Sequence, residues 1–177
     1  MKEKIEGHAY ILGDNINTDD IVPSHTLTMR DPNEMAKFTL EYIDPQFVKN
    51  VDKGDIIVAG ENFGCGSSRE EAVNVFKILG IKAIVAKSFA RIYFRNLINV
   101  GIPAITLNWD KKLFSKGDKL EVSLHEGIIF NKNKNVRIEF VKLPGFLINV
   151  LGSGGILNQL KKKLNQQKNY IKHSNSF

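Results

Sequence analysis

The stretch of this chain richest in usable chemistry runs Gly60-Glu61-Asn62-Phe63-Gly64-Cys65-Gly66-Ser67-Ser68-Arg69-Glu70-Glu71. An apolar strand is predicted to end there, a glycine-rich loop to turn, and a helix to begin with two hydroxyls and an arginine. Helix N-termini expose unpaired backbone N–H groups and the positive end of the helix dipole, so they attract anions. Gly64 and Gly66 permit positive φ and let the backbone come close to a ligand. Arg69 adds a planar fork that matches a carboxylate. Residue chemistry alone therefore gives a site for a small carboxylate or phosphate. The lysine of Gly-x4-Gly-Lys-Ser/Thr is missing, and the glycine spacing is not that of a dinucleotide loop. The Gly-x-Ser-x-Gly of a hydrolase elbow is missing too. The plain alternative is a tight strand-to-helix connection in which Ser67 or Ser68 only caps a helix, and the residue pattern alone leaves both readings open.

Other residue types set limits. Cys65 is the single cysteine, so the chain forms no internal disulfide and cannot by itself build a four-cysteine zinc site or hold an iron–sulfur cluster. The four histidines, His8, His25, His125 and His173, are scattered without metal-ligand spacing. Trp109 is expected to cover the surface rather than to stack on a ligand. The formal charge is +6, but Lys161, Lys162, Lys163, Lys168 and Lys172 lie in a C-terminal stretch with no acid; removing those five leaves +1 for the rest. The basicity thus belongs to a polar tail rather than to a base-reading face, and nucleic acid is not the expected partner. No apolar run approaches the roughly 20 residues of a membrane span, and no signal-peptide core follows Met1-Lys2-Glu3-Lys4-Ile5-Glu6. A cytoplasmic location is the expectation.

These residues need a scaffold, and 177 residues suffice for one well-buried core. Ile5 to Leu12 reads as a strand running into the polar loop Gly13 to Asp20. Asp31 as N-cap, Pro32 at the first helical position and Glu34 as capping-box partner announce a helix with Met35, Phe38 and Tyr42 on one face. Asp55–Gly60, Ala83–Ala86 and Ile102–Leu107 read as buried strands. Between them lie a helix closed by Gly80, with Ala72, Val75, Phe76 and Leu79 inward, and a helix from a Ser88 cap to about Asn99, closed by Gly101. That alternation predicts an α/β fold with a mostly parallel sheet and flanking helices. Lys119–Leu124, Ile128–Phe130 and Val136–Phe140, separated by turns, add an antiparallel β meander. A last helical region is broken at Gly152-Ser153-Gly154-Gly155. One domain over residues 1–160 and a basic polar helix end or tail over 161–177 is the resulting division.

Gly64 to Glu70 resembles the swivelling-domain signature of the aconitase superfamily. Asn17-Thr18-Asp19-Asp20-Ile21-Val22-Pro23, Lys53 to Gly60 and Lys87 to Asn96 resemble further family stretches, in the same order, and the match extends over nearly the whole chain. The length fits the stand-alone small subunits of 3-isopropylmalate dehydratase and homoaconitase. The resemblance implies a single swivelling β/β/α domain that works with a separate large subunit, as a heterodimer or a dimer of heterodimers. It also implies that the large subunit holds a 4Fe-4S cluster on three cysteines, with none bound by this chain, and that the substrate is a small dicarboxylate. By the same resemblance Ser67 is the base, acting as an alkoxide. Ser68 and Arg69, with Gly66, bind a substrate carboxylate. Thr18 and Asp19 face the site across the subunit junction, where Asp19 either orients an iron-bound water or a histidine of the partner or only closes its own loop as an Asx turn. Arg91 and Arg95 support the site through structural salt bridges, and Cys65 packs in the loop.

Substrate choice is expected from the segment after Pro23, which holds His25, Thr26, Leu27, Thr28, Met29 and Arg30. Homoaconitase-type chains resemble Tyr-Leu-Arg-Thr here, with the arginine pairing an extra carboxylate. Aligned on Leu27, that position is Thr28, which cannot form the pair, and a neutral residue suits an apolar isopropyl group. Arg30 lies two residues further along, and Thr26 stands where the family has a tyrosine. The expectation is a hydro-lyase subunit interconverting 2- and 3-isopropylmalate in leucine biosynthesis. The alternatives are homoaconitate or a dimethylmalate-type diacid as substrate, or a non-catalytic carboxylate-binding or RNA-binding module.

Overall fold

The computed structural model describes residues 4–174, with side chains to residue 167. The elements in chain order are β1 (Ile5–Ile11), α1 (Thr18–Ile21), a 3-10 turn (Ser24–Thr28), α2 (Pro32–Ala36), α3 (Phe47–Asn50), β2 (Ile56–Ala59), α4 (Glu71–Leu79), β3 (Ala83–Ala86), α5 (Arg91–Val100), β4 (Ala104–Thr106), β5 (Lys119–Ser123), β6 (Ile128–Asn131), β7 (Val136–Glu139), α6 (Gly145–Gly152) and α7 (Ile156–Ser174). The predicted tail falls partly outside: residues 175–177 and the side chains beyond 167 are not among those described.

One seven-stranded sheet runs β4-β3-β2-β1-β5-β6-β7. β1 joins its two halves. Ala9 to Ile11 pair in parallel with Ile56 to Val58 of β2, while Ile5 to His8 pair antiparallel with Lys119 to Val122 of β5. The parallel half continues through β3 and β4, and the meander through β6 and β7. β2 and β3 are continuous apolar runs because both of their faces are covered, and Ile56 to Ala59 and Ala83 to Ala86 are wholly buried. Each Ile or Val so buried contributes roughly 1.5–3 kcal/mol relative to exposure. α2, α4 and α5 pack side by side, and α6 and α7 extend that layer from α5.

Two predicted helices differ. The N-cap at Asp31 is present, its Oδ1 accepting from Asn33 N at 2.8 Å, but Glu34 turns outward to Lys37 Nζ at 2.6 Å. The helix stops at Ala36. Thr39 donates its hydroxyl back to Ala36 O, and Leu40 enters the left-handed region at φ 62° so that its N–H reaches Ile21 O. Phe38 and Tyr42 therefore fall in turns, and Tyr42 is 69% exposed. Ser88 does not cap α5, which begins at Arg91 after an extended Ala90. Its hydroxyl is taken by the loop after β2 instead. No described helix is long and apolar enough to cross a membrane.

Candidate active site

Open α/β sheets bind ligands outside the carboxyl ends of their parallel strands. Here the loops after β1, β2 and β3 meet at that edge, stitched by backbone hydrogen bonds. Thr18 N donates to Cys65 O at 2.9 Å and Gly64 N to Ile16 O at 2.8 Å. Phe63 N donates to Ser88 O and Ala90 N to Phe63 O, both at 3.0 Å. Asn62 N reaches Ser88 Oγ at 2.8 Å, and its side-chain amide donates to Asn15 Oδ1 at 2.9 Å. Asn15 and Asn62 both occupy the left-handed region, φ 58° and 56°, which asparagine tolerates better than most side chains. Cys65 sits in this seam, its Sγ 3.8 Å from Asn15 O. Trp109 covers the end of β2, donating Nε1–H to Ala59 O at 2.6 Å.

Two glycines let the loop lie flat on its supports. Gly64 has φ 77°, and a Cβ there would sit 2.1 Å from the Tyr93 ring. Gly66 has φ 94° and would place a Cβ 3.2 Å from Thr18 Oγ1. Tyr93 is buried beneath and donates its O–H to Ala72 O at 2.7 Å; burial pushes its phenol well above the usual range, so it stays a donor.

Ser67 and Ser68 are exposed and line a cavity of about 230 Å3 with Gly64, Gly66, Arg91 and Asn96. Contrary to the sequence reading, they do not begin a helix. α4 starts at Glu71, and no side chain caps it. The serine hydroxyls are thus not consumed by capping. Among the described residues the N–H groups of Gly66, Ser67, Ser68 and Arg69 find no protein acceptor. The loop thus keeps a run of uncommitted N–H donors beside the cavity, the raw material of an anion-binding concavity.

Arg69 leans away from the loop. Its Nη1 donates to Asp19 Oδ1 at 2.8 Å and to Val22 O at 3.4 Å. That use of one nitrogen leaves Nη2 and Nε, an edge able to take a carboxylate side-on. Asp19 is available for this pairing because Asn17 and Asp20 cap α1 reciprocally. Asp20 N donates to Asn17 Oδ1 at 2.8 Å, and Asn17 N to Asp20 Oδ2 at 2.9 Å. Beside them Thr18 is 1% exposed, and its Oγ1 has no hydrogen-bond partner. Such an orphan costs about 1–3 kcal/mol and marks a place where stability is not the only demand.

The segment from His25 to Arg30 lies apart, and none of its residues lines the cavity. The chain just before it, at Val22, touches the site through the Arg69 contact with Val22 O. Thr26 is fully buried and donates its hydroxyl to Pro23 O at 2.8 Å, so it faces the core. His25 bridges Tyr42 Oη, through Nδ1, and Glu41 Oε1, through Nε2, each at 3.2 Å. Met29 packs against the core, whereas Leu27, Thr28 and Arg30 are exposed.

The salt bridges expected of Arg91 and Arg95 are not formed. Among the described residues neither has a carboxylate within 4.0 Å. α5 carries no acidic residue, and both arginines point to solvent. Ile92 and Asn96 were missed as lining residues. Ile92 had a signal: an apolar side chain on the outer face of an amphipathic helix, 53% exposed. No three His, Cys, Asp or Glu side chains among the described residues gather to hold a metal.

The profile of the aconitase C-terminal domain family matches residues 3–110. A 3-isopropylmalate dehydratase small subunit from Methanopyrus kandleri is 43% identical over 92% of this chain and 96% of its own length. A methanogen homoaconitase small subunit from Methanocaldococcus jannaschii is 48% identical over 95% of this chain and 98% of its own. A crystal structure of 3-isopropylmalate dehydratase from Methanocaldococcus jannaschii superimposes with a TM-score of 0.86 at 47% identity, covering 94% of this chain and 99% of that one.

Proposed function

This chain belongs to the aconitase C-terminal domain family, and from that premise we propose that it is the small subunit of a heteromeric hydro-lyase. The reaction is the interconversion of 2- and 3-isopropylmalate through 2-isopropylmaleate. The observation that carries this reading is the Gly66–Arg69 loop, which offers exposed serine hydroxyls and unpaired N–H groups beside an arginine already oriented by Asp19.

In this reading Ser67 takes the proton next to a substrate carboxylate. An alkoxide needs stabilisation, and the N–H groups around it with the Arg69 charge supply a preorganised positive field. Ser68 and the outer edge of Arg69 grip that carboxylate, with the Gly66 N–H beside them. Asp19 acts on this side of the junction as the anchor of Arg69, and Thr18 supports the loop from below. Polarisation of the departing hydroxyl is chemistry for an iron–sulfur cluster. The donor set here does not fit such a group, because Cys65 is the one thiol, so the cluster belongs to the large subunit and the site is completed at the junction. The proposed setting is the cytoplasm and leucine biosynthesis.

Thr28 and Leu27 are neutral and exposed but lie outside the serine cavity of this chain. In this reading they meet the far end of the substrate only in the assembled enzyme, where they favour isopropyl over carboxylate. A second reading, homoaconitate, is favoured by the 48% identity to the methanogen homoaconitase small subunit. Replacing Ser67 by alanine tests the assignment of the base. With cluster-loaded large subunit, Ser67→Ala is expected to assemble normally and to lose at least about 1,000-fold in kcat. A rate within tenfold of wild type contradicts the assignment.

A further inference from the structure

A groove of about 670 Å3 opens between α5 and α6, floored by Phe89, Phe94 and Leu147 and flanked by Phe146. Phe146 is 67% exposed at the edge of this groove, and Ile92 on α5 is 53% exposed. Arg91 and Arg95 line it as well, and Arg91 also lines the serine cavity, so groove and candidate active site are neighbours that share this side chain. Aromatic anchors with arginines at the edge are the composition of a protein interface centre.

The charge pattern says what fits. The two arginines have no carboxylate partner among the described residues. α5 and α6 contain no acid, and none occurs in the chain after Glu139. A second copy docking by this face about a two-fold axis would set arginine against arginine, which like-charge repulsion opposes. We infer that this groove receives an apolar or aromatic side chain of the large subunit, flanked there by carboxylates that pair with Arg91 and Arg95. The inference rests on the small-subunit reading and adds the place and chemistry of docking. It gives the unpaired arginines a structural role and sets the subunit that completes the site directly beside Ser67.

The test is association of the full chain with cluster-loaded large subunit, followed anaerobically by sedimentation, with turnover of 2-isopropylmaleate measured on the same samples. Phe146→Glu is expected to raise Kd at least tenfold, with kcat at saturating large subunit within twofold of wild type. Arg95→Glu is expected to raise Kd similarly and to flatten its dependence on salt. Phe146 and Arg95 are both exposed, so the variants keep the fold, which circular dichroism checks. If both bind within twofold of wild type while the wild-type pair turns over, the groove assignment is overturned and the functional reading stands. If the wild-type pair neither binds nor turns over, the functional reading itself falls. Self-association of this chain that Phe146→Glu abolishes overturns the inference in favour of a second copy.

Discussion

At the scale of single residues, the site is built from side chains kept out of ordinary structural duty. Ser67 and Ser68 precede α4 without capping it, and Asn17 and Asp20 cap α1 so that Asp19 need not. Thr18 keeps a buried hydroxyl with no partner. Gly64 tolerates little change, since a Cβ would meet the Tyr93 ring at 2.1 Å from a backbone at φ 77°. Gly64→Ala combines left-handed strain of about 1 kcal/mol with overpacking of about 1–3 kcal/mol. A loss of about 2–4 kcal/mol in urea unfolding is therefore expected; a loss below about 0.5 kcal/mol means that Tyr93 yields easily and the loop is less firmly seated than described. Gly64, Gly66, Ser67 and Arg69 were legible in the sequence because their types and spacing are local. The Arg69–Asp19 pair was not, because the two residues lie 50 positions apart and meet only when β1 and β2 pair.

At the scale of elements, β1 lets one short sheet serve two purposes, a parallel half that ends in the site loops and an antiparallel half that extends the core. Burial and periodicity located these strands to within a residue or two. Helix starts were harder to read. The Ser88 hydroxyl had a competing partner in Asn62 N, and the helix at Asp31 lost its second half to the left-handed turn at Leu40. Both competitors are tertiary contacts invisible to local propensity. The four-residue α1 depends heavily on its reciprocal cap, because so short a helix has little other support. Asn17→Ala is expected to cost about 1 kcal/mol of stability. It should also raise KM for 2-isopropylmaleate by roughly two- to tenfold, the equivalent of about 0.4–1.4 kcal/mol at Arg69. An unchanged KM with lowered stability would separate α1 from the substrate.

At the scale of the whole molecule, the proposal joins one end of the sheet and the adjoining α5–α6 face into a single working surface that a large subunit completes. Family and fold were legible because the motifs recur in order along nearly the whole length. The groove was not, because Phe89 and Phe94 lie some 50 residues from Phe146 and only folding sets them side by side. Substrate choice is the central claim, and it rests on Thr28 and Leu27 being neutral and exposed. The direct measurement is anaerobic hydration by the reconstituted pair, with 2-isopropylmaleate and cis-homoaconitate as competing substrates. The account predicts that kcat/KM favours 2-isopropylmaleate by at least about tenfold, since the Thr28 side chain itself offers a carboxylate no charge. A preference for cis-homoaconitate would contradict it and transfer the selecting role to Arg30 or to the large subunit.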